Sequence, residues 1–207
     1  MKTNRVLPLF IFLFGIFGCA AGPRYYAVKP SEVIRSNYET VRQNELFYKS
    51  EELLREIYAR FTALGCKFVK EGLGIMAVKD EEEKLLYYLM ILVRPHDLAF
   101  DLRATSEKTR FSEIVHVYLP RYVFSIKKED LVNFDGLTIG IYWPVRDFSV
   151  CKEYGGFIEY AHFNIPKMEV YELIDKRRTL SDVLKNSEII ISFNLESPRH
   201  VRIEFWR

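Results

Sequence analysis

The four histidines, His96, His116, His162 and His200, are the side chains best suited to acid–base or metal chemistry. A metal ion needs two or three ligands that converge, and no His-x-His or His-x3-His spacing supplies a pair. Arg94-Pro95-His96-Asp97 is the most polar cluster beside an apolar segment, and a base with its orienting carboxylate would have this composition. The same residues read more simply as a charged loop at a strand end. Glu159 and His162 are three apart in a segment patterned as strand, so they should face opposite sides of a sheet and share no proton. Asp80-Glu81-Glu82-Glu83 lacks the alternating ligands, central glycine and distal glutamate of a calcium loop, and reads as a solvated turn. No nucleophile elbow or P-loop occurs, no Ser-x-x-Lys is expected to open a helix, and Gly72-x-Gly74 lacks the third glycine of a dinucleotide loop. The expectation is therefore no catalytic residue, no metal and no cofactor.

The three cysteines divide by position. Cys66 and Cys151 lie in the body of the chain. They can form a disulfide, which would close a loop of about 85 residues and contribute roughly 4–5 kcal/mol by loop entropy, or remain two buried thiols. Cys19 is different, because of what precedes it. Lys2 and Arg5 form a short basic start, and residues 6–17 are an uninterrupted apolar run. As helix that run would span about 18 Å, against roughly 30 Å for a bilayer core, so it has the dimensions of a signal peptide and not of a membrane span.

The run ends in Ile16-Phe17-Gly18-Cys19, an aliphatic residue, a variable one, a small one and a cysteine. This resembles the lipobox of bacterial lipoprotein precursors, with Phe17 where a small residue is usual. The resemblance covers about twenty residues. It implies that Cys19 takes a diacylglycerol, that residues 1–18 are removed, and that Cys19 becomes an N-terminus held to a membrane through lipid. Ala20, with no aspartate after the cysteine, implies sorting to the periplasmic face of the outer membrane in a host with two membranes.

Removing Lys2 and Arg5 from thirty basic residues leaves twenty-eight against twenty-eight acidic ones. A neutral, mixed surface gives no electrostatic reason to expect nucleic acid as a partner. Lys127-Lys128 and Lys176-Arg177-Arg178 are small basic patches that would suit anionic headgroups or an ordinary solvated turn. Residues 19–30 read as a lipidated tether with two prolines, and 31–207 as one globular domain.

The elements that would position these residues begin with helix. Ser31 reads as an N-cap, and Leu46, Leu53, Leu54, Ile57, Phe61 and Leu64 fall on one face of a helix that Gly65 should end. Ser50-Glu51-Glu52 offers a restart, so 31–64 is one helix or two. From Cys66 onward the pattern reads as β. A hairpin is expected around Gly72-Leu73-Gly74, and the non-alternating 85–93 as a strand covered on both faces. Further strands are expected at 98–102, 114–119, 122–126, 137–143, 157–163, 168–173, 188–193 and 201–206, with a short helix capped by Thr179. The fold class is α+β: an N-terminal helix or helix pair on a mainly antiparallel sheet or open barrel, with one short helix near the C-terminus.

Three functions fit this reading. The first is a non-enzymatic envelope lipoprotein that binds another envelope protein or has a structural role. The second is a carrier whose sheet wraps an apolar cavity capped by the 46–64 helix. The third is an enzyme of unidentified class.

Overall fold

The computed structural model describes residues 26–27, 29–80, 82–147, 157–194 and 196–201. Signal segment, Cys19, most of the tether, Cys151 and the 202–206 part of the expected last strand lie outside them. The chain is α+β. Its strands are β1 (Tyr26–Ala27), β2 (Cys66–Lys79), β3 (Leu85–Pro95), β4 (Phe100–Asp101), β5 (Gly136–Arg146), β6 (Phe157–Pro166), β7 (Glu188–Ser192) and β8 (Arg199–Val201). They form one open sheet in the order β1-β2-β3-β5-β6-β7-β8, with β4 beside β5. Neighbours are antiparallel except β3 with β5 and β4 with β5. The parallel β3–β5 pair requires a crossover, and the chain between those strands supplies it largely as helix.

Helix α1 (Pro30–Val33) starts from Lys29 with Pro30 in its first turn, two positions earlier than the expected Ser31 cap. Helix α2 (Val41–Ala63) starts at Thr40, whose hydroxyl accepts from the Gln43 amide at 3.1 Å. It runs through Ser50 without a break, so the helical stretch is two pieces with the division before Val41. Leu46, Leu54, Ile57 and Phe61 are buried in a row along it, while Val41 and Tyr48 point to solvent. Gly65, at φ +78°, takes the left-handed position that ends the helix.

Three segments differ from the sequence expectation. Gly72 and Gly74 do not turn a hairpin; they lie inside the single strand β2. Five steps of β2, from Phe68 to Leu73, pass two of β3, from Val93 to Ile91, as a bulge in which Glu71 adopts φ +54°. A side chain at Gly72 would strike the carbonyls of Val69 and Leu92, so glycine serves close approach there. Secondly, 114–119 is helical, and 122–126 is helical only through Val123. Helix α3 (Glu107–Glu113), a π-turn (Ile114–Tyr118) and α4 (Leu119–Val123) follow without interruption. Thirdly, 168–173 is helix α5 (Lys167–Ile174), so two short helices and not one stand near the C-terminus, the second being α6 (Leu180–Lys185).

Strand register sorts the two faces of the sheet. Leu73, Ile91, Ile139, Phe163 and Ile189 lie in one row across five strands, and all are buried. The buried side chains of α2, α3, α4, α5 and α6 join the core that this face makes. The next row, Leu92, Gly140, His162, Ile190 and His200, points the other way. In β3, Leu89, Ile91 and Val93 face the core, and Tyr88 and Met90 on the opposite side are also buried, as its unbroken apolar run anticipated. Among the described residues, no helix is long and apolar enough to cross a membrane.

Candidate functional site

Strands β5 and β6 carry a polar cluster on each face. On the core face Glu159 sits directly across from Trp143. Glu159 is fully buried and Arg110, reaching in from α3, is nearly so. The guanidinium donates to both carboxylate oxygens, Nε at 2.8 Å and Nη2 at 2.7 Å. Trp143 Nε1 donates to Oε2 at 2.8 Å, and the Asn194 amide to Oε1 at 3.1 Å. Arg110 also donates through Nη1 to the Thr105 carbonyl at 2.6 Å. Four donors on one carboxylate occupy its lone pairs, so the group has little capacity left to engage a substrate. Its chemistry is that of a structural clamp joining α3, β5, β6 and the loop after β7.

On the opposite face lies an aromatic cluster. Tyr142 hydroxyl and His162 Nε2 are 2.9 Å apart. Tyr142 and Tyr160 stack at 5.2 Å between centroids, and Tyr160 lies 4.8 Å from the imidazole. Gly140 makes room for this: a side chain there would meet both the Leu92 side chain and the His162 ring. Burial lowers the His162 pKa to about 4, so the ring is neutral at physiological pH. Burial also raises that of Tyr160. A neutral imidazole held by a tyrosine hydroxyl is a hydrogen-bonded packing unit; Glu159, the acid nearest in sequence, is on the far side of the sheet. One row along, Thr138 donates to Asn164 at 2.8 Å and Asn164 to Glu188 at 2.6 Å, while His200 Nδ1 lies 3.1 Å from Glu188.

The remaining candidates do not converge. His96 and Asp97 are exposed on the turn after β3, where the His96 amide donates to the Gly65 carbonyl at 3.2 Å. His116 is exposed on the π-turn. Asp80 closes the β2–β3 hairpin by accepting from the amides of Glu82 and Lys84 at 3.0 and 2.9 Å, the role expected of a solvated turn. Among the described residues no three His, Cys, Asp or Glu side chains gather as a metal site would require.

Cys66 is a buried free thiol beside the Tyr122 hydroxyl, and burial pushes the pKa of both groups up. A protonated, enclosed thiol is a poor nucleophile. Its possible partner Cys151, like Cys19, the expected lipidation residue, lies outside the described residues.

Arg110, Trp143 and Tyr142 went unmarked in the sequence, yet one signal was present. Phe157, Glu159, Ala161 and Phe163 share a strand face, and a glutamate on an otherwise apolar face demands a buried cation. Two surface depressions complete the description. One, of about 450 Å³, is bordered by Lys108, Ser112, Glu113 and His116; the other, of about 210 Å³, by Ile34, Phe47, Glu51 and Arg55. Comparison with protein-family models, curated proteins and solved structures finds no match for this chain.

Proposed function

We propose that this chain is an exported lipoprotein, anchored to a membrane through lipid on Cys19, whose domain acts by binding another envelope component and not by catalysis. The observation that carries the proposal is Ile16-Phe17-Gly18-Cys19 at the end of an apolar run too short to span a bilayer. Two acyl chains at Cys19 give stable anchoring, since each buried methylene contributes about 0.8 kcal/mol. The binding role draws support from the way ionisable groups are used. The best-organised carboxylate, Glu159, is consumed by Arg110, Trp143 and the Asn194 amide, and His162 faces away from it.

The carrier reading is less well supported. A cavity capped by α2 would need space beneath that helix. Leu54, Ile57 and Phe61 are instead fully buried, and Phe61 and Tyr58 pack on Phe68 of β2 at 6.3 and 5.4 Å. The space is filled by side chains.

Native mass spectrometry of the protein, extracted in mild detergent from its own membranes, tests the proposal. The expected result is a diacylglycerol mass on Cys19, absent from a Cys19→Ser variant, with a second protein at fixed stoichiometry. A further bound lipid, retained by the domain, would favour the carrier. Persistent acylation of the Cys19→Ser variant would refute the anchor.

A further inference from the structure

We propose that the exposed side of the π-turn and α4, carrying Val117, Arg121 and Phe124, lies against the lipid surface to which the protein is anchored. This rests on the lipid anchor at Cys19. The first argument is tether length. Seven residue steps lead from Cys19 to Tyr26, and at about 3.6 Å each they span at most roughly 25 Å. Tyr26 and Ala27 are already paired with Val69 and Phe68 at the edge of the sheet. That edge therefore stays within about 25 Å of the bilayer, which brings the surfaces beside it within reach of the headgroups.

The second argument is what lies beside it. Phe68 packs on Phe61, and Phe61 on Tyr122 of α4 at 5.8 Å. Arg121 donates to the carbonyl of Leu64, the last residue before the Gly65–Cys66 entry into β2. Arg60 of α2 donates to the carbonyl of Ser125, next to Phe124, at 2.9 Å. The end of α2, the start of β2 and α4 therefore pack together beside β1.

The third argument is chemical. Tyr118, Leu119, Tyr122 and Val123 point into the core, whereas Val117 and Phe124 are 57% and 55% exposed and stand seven residues apart on the outward side, with exposed Arg121 between them. Lys127 and Lys67 are exposed at this end; its acidic groups include Asp97 and Glu113 near Tyr118, exposed Glu129, and Asp130, which pairs with Arg60 and accepts from the Lys127 amide. Apolar and aromatic side chains separated by arginine, with lysines at the margin, suit the boundary between acyl chains and anionic headgroups. Met168, 64% exposed, provides a contrast: it follows Pro166, which pairs with Gly136 at the opposite end of β5 and β6.

The test uses the full lipidated protein in phosphatidylcholine–phosphatidylglycerol vesicles with brominated acyl chains. Phe124→Trp, Val117→Trp and Met168→Trp variants are compared with the wild type as baseline. The expected result is acylated protein in which the tryptophan at 124 or 117 loses emission to the brominated lipid and shifts to the blue, while that at 168 does neither. Acylated, vesicle-bound protein in which 124 and 117 are quenched no more than 168 would overturn the docking and leave the anchor standing. Shielding of 124 from acrylamide in native membranes, without quenching by lipid, would assign the face to a protein partner and overturn the docking equally. Protein with no acyl mass that fails to sediment with vesicles would overturn anchor and docking together.

Discussion

Glu159 and His162 stand three residues apart on one strand and resolve the same problem in opposite ways. Both are titratable groups largely removed from water. Glu159, on the core face, is met by a cation and two further donors, since Arg110, Trp143 and the Asn194 amide all donate to it. His162, on the other face, meets a tyrosine hydroxyl and two aromatic rings but no carboxylate, and burial depresses its pKa to about 4. A buried charge persists where a rigid partner is supplied and is given up where only dipoles and rings are available. Strand alternation makes the two outcomes independent, since the sheet itself separates the groups.

The comparison breaks most forcefully at the ion pair. Arg110→Ala should destabilise the fold by about 3–5 kcal/mol, because it leaves Glu159 charged, buried and short of its main donor. Urea denaturation with an unchanged m-value would register this as a lower midpoint. A loss below about 1 kcal/mol would mean that Glu159 does not depend on Arg110.

The next effect is pH dependence on the other face. The folded-state pKa of His162 is depressed below the unfolded value near 6.5, so the unfolded chain takes up the proton first. The stability this burial confers is complete above about pH 6.5 and is lost as pH falls toward 4, by up to about 3 kcal/mol. His162→Phe should flatten the stability profile between pH 7 and 4, while retaining any acid loss that comes from carboxylates. An undiminished slope in that variant would place the titration elsewhere.

A third test concerns the backbone that both clusters share. A side chain at Gly136 would meet the Ile165 carbonyl and the Tyr88 ring, the first of which is fixed by the sheet. Gly136→Ala should therefore cost about 1–3 kcal/mol in thermal or urea unfolding. Gly65→Ala should cost less, about 1 kcal/mol, since its position is strained only by φ and open in space.

How far the sequence revealed this arrangement varies by segment, and each departure has a physical cause. The α2 stripe was legible because 23 residues of helix contain several turns of evidence. The α3–α4 helix was not read, although Phe111, Ile114, Val115, Tyr118, Leu119, Tyr122, Val123 and Ile126 follow a strict three-then-one spacing and are all buried. Its β-branched residues favour strand, and Pro120 reads as a bend or an edge between two of them. The π-turn, in which the Leu119 amide donates to the Ile114 carbonyl, changes the hydrogen-bond phase just before a proline that has no amide hydrogen to place. Helix α5 buries only Val170 and Leu173, too short a pattern to separate from strand. Gly72 and Gly74 read as a hairpin turn, because a bulge uses glycine as readily as a turn does. The opposed facing of Glu159 and His162 followed from alternation alone. Arg110 did not, because nothing local connects a helix residue to a strand 49 positions away.

The smallest expected effect tests whether a local cap keeps its value when it lies on neither face of the central cluster. Thr179 begins α6: its hydroxyl accepts from the Asp182 amide at 3.2 Å and donates to the Asp182 carboxylate at 2.7 Å. Lys185 and this hydroxyl hold the Asp182 pKa at about 2. Here the groups are solvated, so water replaces whatever is removed and no buried charge is stranded. Thr179→Ala should cost about 1 kcal/mol, the ordinary value of an N-cap. The loss should be insensitive to Arg110→Ala and additive with it in a double-mutant cycle, since the two sites share no partner. Coupling larger than about 0.5 kcal/mol would show that α6 and the Glu159 clamp are linked through the β6–β7 pair, and that the clamp extends further through the sheet than its four donors.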